Sequence, residues 1–256
     1  MKPSNVETKL TKLSKDLYLE LQHKEGYYTG WNEVGSLYVA QTEDRMQYYK
    51  SLKSESIARE VECDLVTPND CKNLCPALEV NDLKGGLWVP GDGVANPYEI
   101  CLALIQLAVK KGVQIVQQCK VDEIIVKDAK ISGVKTDKGT ISCEYFVNAA
   151  GFWARHIGTL SSPRVQVPLH PAEHYYLHSK PVNFLPPNTP VVRDPDGHIY
   201  FRENGGRVLA GGFEPVAKPA FEDGHLPTSS NSRQLPVRKD MSDYLCHGNF
   251  SIMDIS

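Results

Sequence analysis

Two stretches of this chain carry residues whose types and spacing could do chemistry. The first is Tyr145-Phe146-Val147, a short apolar run that stops at Asn148-Ala149-Ala150-Gly151. An apolar run bounded by turn signals predicts a strand buried on both faces. Small residues at its carboxyl end let a ribose or pyrophosphate approach the backbone where a side chain would collide. The same residues equally describe a plain tight turn into a helix at Phe152-Trp153-Ala154-Arg155. The second stretch runs from His174 to Arg202. Alternation along His174-Tyr175-Tyr176-Leu177-His178 puts His174, Tyr176 and His178 on one strand face. Arg202 has the planar fork that holds a carboxylate bidentately, which lysine lacks, and it also fits an ordinary surface position. Asp92, between Gly91 and Gly93, suits stabilisation of its own turn. The eight histidines make no ligand spacing on a helix, and Cys71 and Cys75 lack a second Cys or His pair nearby, so no metal is expected.

The elements that must position these residues follow from hydrophobic period and punctuation. Leu10, Leu13, Leu17 and Leu21 predict an amphipathic helix over 6–23. Ser36 to Ala40 reads as a strand, and Thr42 caps a helix whose first turn is acidic. Thr67-Pro68-Asn69-Asp70 is a capping-box variant opening a short helix. A strand at Gly85 to Pro90 leads to a helix with Asn96 as cap and Pro97 first, ended by Gly112. Strands are predicted at 113–116, at 121–126, 131–136 and 140–143 as a meander, and at 145–147. Beyond Arg155 short strands and turns predict an antiparallel sheet, with a hairpin around Asp194-Pro195-Asp196-Gly197. Residues 226–256 show no sustained period and are expected to be an irregular tail.

Composition narrows the classes. With 41% hydrophobic and 23% charged residues the chain is of globular type. A net charge of −3 with no basic block argues against nucleic acid as a partner. No apolar run reaches membrane-spanning length, so no membrane is expected as a partner. The seven cysteines are an odd, scattered set, read as buried free thiols.

Helix, strand, meander, buried strand and small-residue turn is how a flavoprotein dinucleotide-binding domain completes itself. At family level the chain resembles the FAD-dependent oxidoreductases of the D-amino-acid oxidase superfamily, in the sarcosine and dimethylglycine dehydrogenase branch. The resemblance rests on Tyr28-Thr29-Gly30-Trp31, Gly35-Ser36, Val89-Pro90-Gly91-Asp92-Gly93 with Pro97, and Val147 to Ala154. Val167-Pro168-Leu169, His174, Tyr176, Arg193-Asp194 and Tyr200-Phe201-Arg202 extend it over roughly residues 6–222. Within the branch, Glu173-His174-Tyr175-Tyr176-Leu177, Gly197 to Arg202 and Gly211-Gly212-Phe213-Glu214 are similar to the group of pyruvate dehydrogenase phosphatase regulatory subunits.

The resemblance implies FAD as cofactor of the intact parent protein, with Val121 at the adenine and Ala149, Ala150 and Gly151 along the dinucleotide. It places His174, Tyr176 and Arg202 on the substrate side, to orient an amine or a carboxylate. It implies an α/β plus α+β fold: an incomplete FAD-binding Rossmann-type domain (1–30 and 91–163) interleaved with an antiparallel-sheet substrate domain (31–90 and 164–225). Implied partners are a phosphatase catalytic subunit or a small N-methyl amino acid, in the mitochondrial matrix. The family's opening G-x-G-x-x-G loop is missing from the sequence, so the chain is expected to be the middle of a longer protein. Three functions stay open: a regulatory subunit, a sarcosine or dimethylglycine dehydrogenase, and an inactive truncated fragment.

Overall fold

The computed structural model describes residues 4–221 and 226, so the expected tail lies almost wholly outside the described residues. They form two compact units: the first takes residues 4–112 and 174–215, the second residues 113–173 with those described from 216 onward.

The first unit opens with α1 (Asn5–His23), started by a capping box. The Ser4 hydroxyl accepts from the Glu7 N–H at 3.1 Å while the Glu7 carboxylate accepts from the Ser4 N–H. Strand β1 (Ser36–Ala40) follows, then α2 (Glu43–Ala58), capped by Thr42, and β2 (Asp64–Val66). Next come α3 (Pro68–Leu74), boxed by Thr67 and Asp70, β3 (Gly85–Val89), and α4 (Pro97–Lys110), capped by Asn96. The apolar residues of α4 are mostly uncovered. Among its residues only Ala103 is buried, while Ile105 and Val109 are exposed; α1 packs against this helix.

The second unit holds the meander β4 (Val121–Lys127), β5 (Lys130–Thr136) and β6 (Gly139–Ser142), in that order. A 3-10 turn (Gly151–Trp153) and the short helix α5 (Ala154–Gly158) replace the single helix expected after the small-residue turn. The strands expected at 113–116 and 145–147 do not form. Tyr145 is 86% exposed and Val147 84%, so this run is not buried on either face. Strand structure needs a neighbour to complete its backbone hydrogen bonds, and no strand lies beside these runs among the described residues.

The chain returns to the first unit with β7 (Tyr176–Pro181), β8 (Val191–Asp194), β9 (Ile199–Glu203) and β10 (Arg207–Gly212). Strand β7 starts two residues later than expected: its partner β10 ends at Gly212, one residue past the Gly211–Tyr176 pair, so His174 has no ladder partner among the described residues. The sheet runs β2-β3-β1-β8-β9-β10-β7. It is mixed rather than purely antiparallel, because β1 and β8 pair in parallel. These strands come from distant stretches of chain, and only a long connection permits a parallel pair.

One sheet face packs Leu37, Val39, Val192, Phe201, Val208 and Ala210 against Cys71, Cys75 and Leu78. On the other, Ala40, Leu87 and Val89 pack against Tyr49 of α2. The Tyr49 hydroxyl donates to the Val39 carbonyl at 2.9 Å, and burial pushes its pKa well up. Cys63, Cys71 and Cys75 are buried thiols as expected, whereas Cys101 is exposed on the uncovered α4 and Cys119 and Cys143 are half-buried. No described helix is long and apolar enough to cross a membrane.

Candidate functional site

Strand register builds the site. Directly opposed residues share a face, and the pairings carry one row across all seven strands: Leu65, Leu87, Tyr38, Arg193, Tyr200, Gly211 and Tyr176. This face is opposite the one that buries Leu37, Val192 and Phe201. In mid-row the Arg193 guanidinium lies 5.8 Å from the ring centroids of both Tyr38 and Tyr200. Among the described residues it makes no hydrogen bond or ion pair, and its Nε is buried without a partner there. A half-buried cation that lacks a counter-charge is costly unless something supplies one.

Gly211 shapes the space beside it. A Cβ there would lie 2.4 Å from the Tyr200 ring, so only glycine lets that ring settle over β10. The Tyr200 hydroxyl is 3.2 Å from His174 Nε2. Phe213 completes the cluster, its ring centroid 5.2 Å from Tyr200 and 5.5 Å from His174. Burial raises the phenol pKa values of both Tyr38 and Tyr200, and the Arg193 charge partly offsets each shift. Both phenols therefore stay protonated near neutral pH and keep a hydrogen to donate.

The Tyr38–Arg193 stretch of the row opens on a cleft of about 880 Å³, walled also by Ser36, Trp31, Asp92 and Lys15. Trp31 Nε1 is buried there without a partner. Lys15 is already neutralised: it pairs with Glu33 at 2.7 Å and donates to the Gly91 carbonyl at 2.8 Å. Gly35 holds the wall together, its N–H donating to the Asp92 carbonyl and its carbonyl accepting from the Val191 N–H. It sits at φ +78°, and a Cβ would run into the Trp88 indole.

The turn after β8 fixes Arg193 from the other side. The Asp194 carboxylate accepts from the N–H groups of Asp196 and Gly197 and, at 2.6 Å, from Gln41 Nε2. Asp196 in turn accepts from the Gln41 N–H and pairs with Arg45 at 2.8 Å. The β8–β9 turn is thereby latched to the end of β1, which keeps Tyr38 and Arg193 in register.

His174 and Tyr176 thus sit with Arg193 and Tyr200. Arg202 lies on the same face one row along, opposite Leu209, with Nη1 donating to the Glu203 carbonyl at 3.2 Å. Sequence reasoning did not single out Arg193, Tyr200 or Tyr38 as site residues. The signal was available in the hairpin: a four-residue turn at 195–198 makes Asp194 face Ile199 and therefore Arg193 face Tyr200.

The residues expected at the cofactor lie in the second unit. Val121 is half-buried at the start of β4, paired with Thr136. Asn148 staples the small-residue turn, donating from Nδ2 to the Ala154 carbonyl at 2.9 Å. Ala149 and Gly151 are exposed, and Gly151 takes φ +55° with no atom within 4 Å of a Cβ position. That open backbone fits the close approach of a dinucleotide. No cluster of metal-ligating side chains occurs among the described residues.

Comparison with known proteins gives a consistent picture. The FAD dependent oxidoreductase family matches residues 2–250. The mitochondrial pyruvate dehydrogenase phosphatase regulatory subunit of Mus musculus is 39% identical over 222 residues, covering 86% of this chain and 25% of that protein. Mitochondrial sarcosine dehydrogenase of Mus musculus is 34% identical, covering 86% of the chain and 24% of that protein. Human mitochondrial dimethylglycine dehydrogenase is 30% identical over 210 residues, again 24% of its length. The chain thus spans about a quarter of these relatives. Among solved structures, L-proline dehydrogenase from P. horikoshii superposes with a TM-score of 0.78 at 22% identity, over 92% of this chain and 59% of that one. The L-α-glycerophosphate oxidase of Mycoplasma pneumoniae, solved with FAD bound, gives 0.70 at 18% identity, over 95% and 63%.

Proposed function

We infer, since this chain belongs to the FAD dependent oxidoreductase family, that its seven-stranded sheet is the ligand-side wall of a regulatory-subunit-type flavoprotein and holds a small carboxylate through Arg193. FAD is the cofactor of the family. The observation that carries the ligand reading is the unpaired guanidinium between Tyr38 and Tyr200. A carboxylate laid on that guanidinium supplies the missing counter-charge in bidentate geometry. The Tyr200 hydroxyl and His174 then face the rest of the ligand, and Gly211 leaves the room for it. A small N-methyl amino acid fits this chemistry, as the names of the sarcosine and dimethylglycine relatives suggest.

Val121, Ala149, Ala150 and Gly151 would hold the dinucleotide, within a FAD-binding domain comprising residues 1–30 and 91–163. When bound, the flavin supplies a hydride acceptor. The regulatory relative supports a phosphatase catalytic subunit as protein partner and the mitochondrial matrix as location. The test is calorimetric titration of the chain with dimethylglycine. Arg193→Met should weaken binding by about tenfold or more; unchanged affinity would remove Arg193 from the site.

A dehydrogenase is the second reading, favoured by the hydrogen-bonded His174–Tyr200 pair on the ligand face. Bleaching of added flavin by sarcosine under anaerobic conditions would select it.

A further inference from the structure

Arg193 is not the only charge left without a counterpart beside this aromatic cluster. Glu214 lies two residues beyond β10, next to Phe213. It is half-buried, and among the described residues its Oε1 is buried without a hydrogen-bond partner and its carboxylate joins no ion pair. Tyr200 lies within electrostatic reach of both charges, Arg193 favouring its phenolate and Glu214 opposing it. The two groups are not close enough to form an ion pair with each other. Each group has one buried polar atom, Arg193 Nε and Glu214 Oε1, left unpaired among the described residues, and each such atom carries a desolvation cost. One kind of small molecule compensates both: a zwitterion, with an anionic end for the arginine and a cationic end for the glutamate.

We propose that Arg193 and Glu214 are the two poles of one site, Glu214 receiving the ammonium of an amino acid whose carboxylate lies on Arg193. Tyr200, His174 and Phe213 line the space between, their faces suited to N-methyl groups and to the positive charge itself. Glu214 thereby sets specificity: it separates a charged amine from a carbon chain of the same shape. This assignment rests on the carboxylate reading of Arg193.

The experiment compares dimethylglycine with 3-methylbutanoate, in which a CH replaces the N–H⁺, by calorimetric titration of the whole chain. Wild type should bind dimethylglycine about tenfold or more tightly than the isostere, because only the zwitterion meets Glu214. Glu214→Gln, which keeps shape and removes charge, should bring the two affinities to within about twofold of each other. Arg193→Met should weaken both ligands together. Equal wild-type affinities, or a preference that survives Glu214→Gln, would overturn the role of Glu214 while leaving Arg193 in place. Affinities unchanged in Arg193→Met would overturn the carboxylate reading and this assignment with it. The wild-type comparison decides even if Glu214→Gln does not fold.

Discussion

The seven-stranded sheet and the runs flanking the β-meander are written in similar residues and meet different ends. Ser36 to Ala40 and Val191 to Asp194 are short strands that pair on both sides, and their apolar residues Leu37, Val39, Val191 and Val192 disappear into the core. Val113 to Val116 and Tyr145 to Val147 are short, mostly apolar runs as well, yet they stay without strand structure and, Phe146 apart, open to solvent. The contrast teaches that β-propensity describes a readiness to fit a pleated surface. Whether a strand exists depends on what lies 5 Å away, and that is a property of a pair, not of a segment.

Amide hydrogen exchange is the sharpest way to break this comparison. The central strand β1 should exchange about a thousandfold or more slowly than the runs at 113–116 and 145–147, which should exchange near free-peptide rates. Comparable protection in both would mean the exposed runs are paired in solution. Urea denaturation gives the next largest contrast. Leu37→Ala, at a fully buried site, should cost about 3 kcal/mol, whereas Val147→Ala should stay within about 0.5 kcal/mol. A smaller effect comes from the α2 side of the sheet. Tyr49→Phe removes a buried bond to the Val39 carbonyl and should cost about 1 kcal/mol.

The subtlest prediction concerns the latch at Asp194. Burial raises its carboxyl pKa above the ordinary 3.8, and the hydrogen bonds from Gly197 and Gln41 offset the rise only in part. For an acid raised in the folded state, the proton-linked stability is complete below pH 3.8 and is lost as pH climbs through the folded value. Asp194→Asn lacks this linkage. The stability of the variant relative to wild type should therefore rise with pH across that acid window and then level off. A flat difference throughout would show that Asp194 titrates no differently in the unfolded chain.

Much of the first unit was legible because its signals are local. Thr42, Thr67 and Asn96 announce helix starts through side chains that bond within three residues, and all three cap in the structure. The hairpin at Asp194 to Gly197 is equally self-contained. What could not be read was the pairing of β1 with β8, since nothing near Ser36 specifies Val191 as its neighbour. The candidate site inherits that difficulty. His174 and Tyr176 stand out by alternation, but Arg193 matters because Tyr38 and Tyr200 flank it, and one of those rings is delivered by the distant strand β1. The expected burial of 145–147 failed for the same reason: its residues were read correctly as apolar, while the partner they required was assumed.

The parallel pairing of β1 with β8 also orders events in time. Gln41 and Asp194, which latch the ends of these strands, are 153 residues apart. A ribosome takes about 8–30 s to add that much chain. For that interval β1 has only its β3 side to pair with, and Tyr38 faces no arginine. The nascent chain must carry a half-built sheet with an open apolar edge, the kind of surface that chaperones hold. The candidate site therefore cannot assemble before the strand bearing Arg193 emerges, long after Tyr38 has been made.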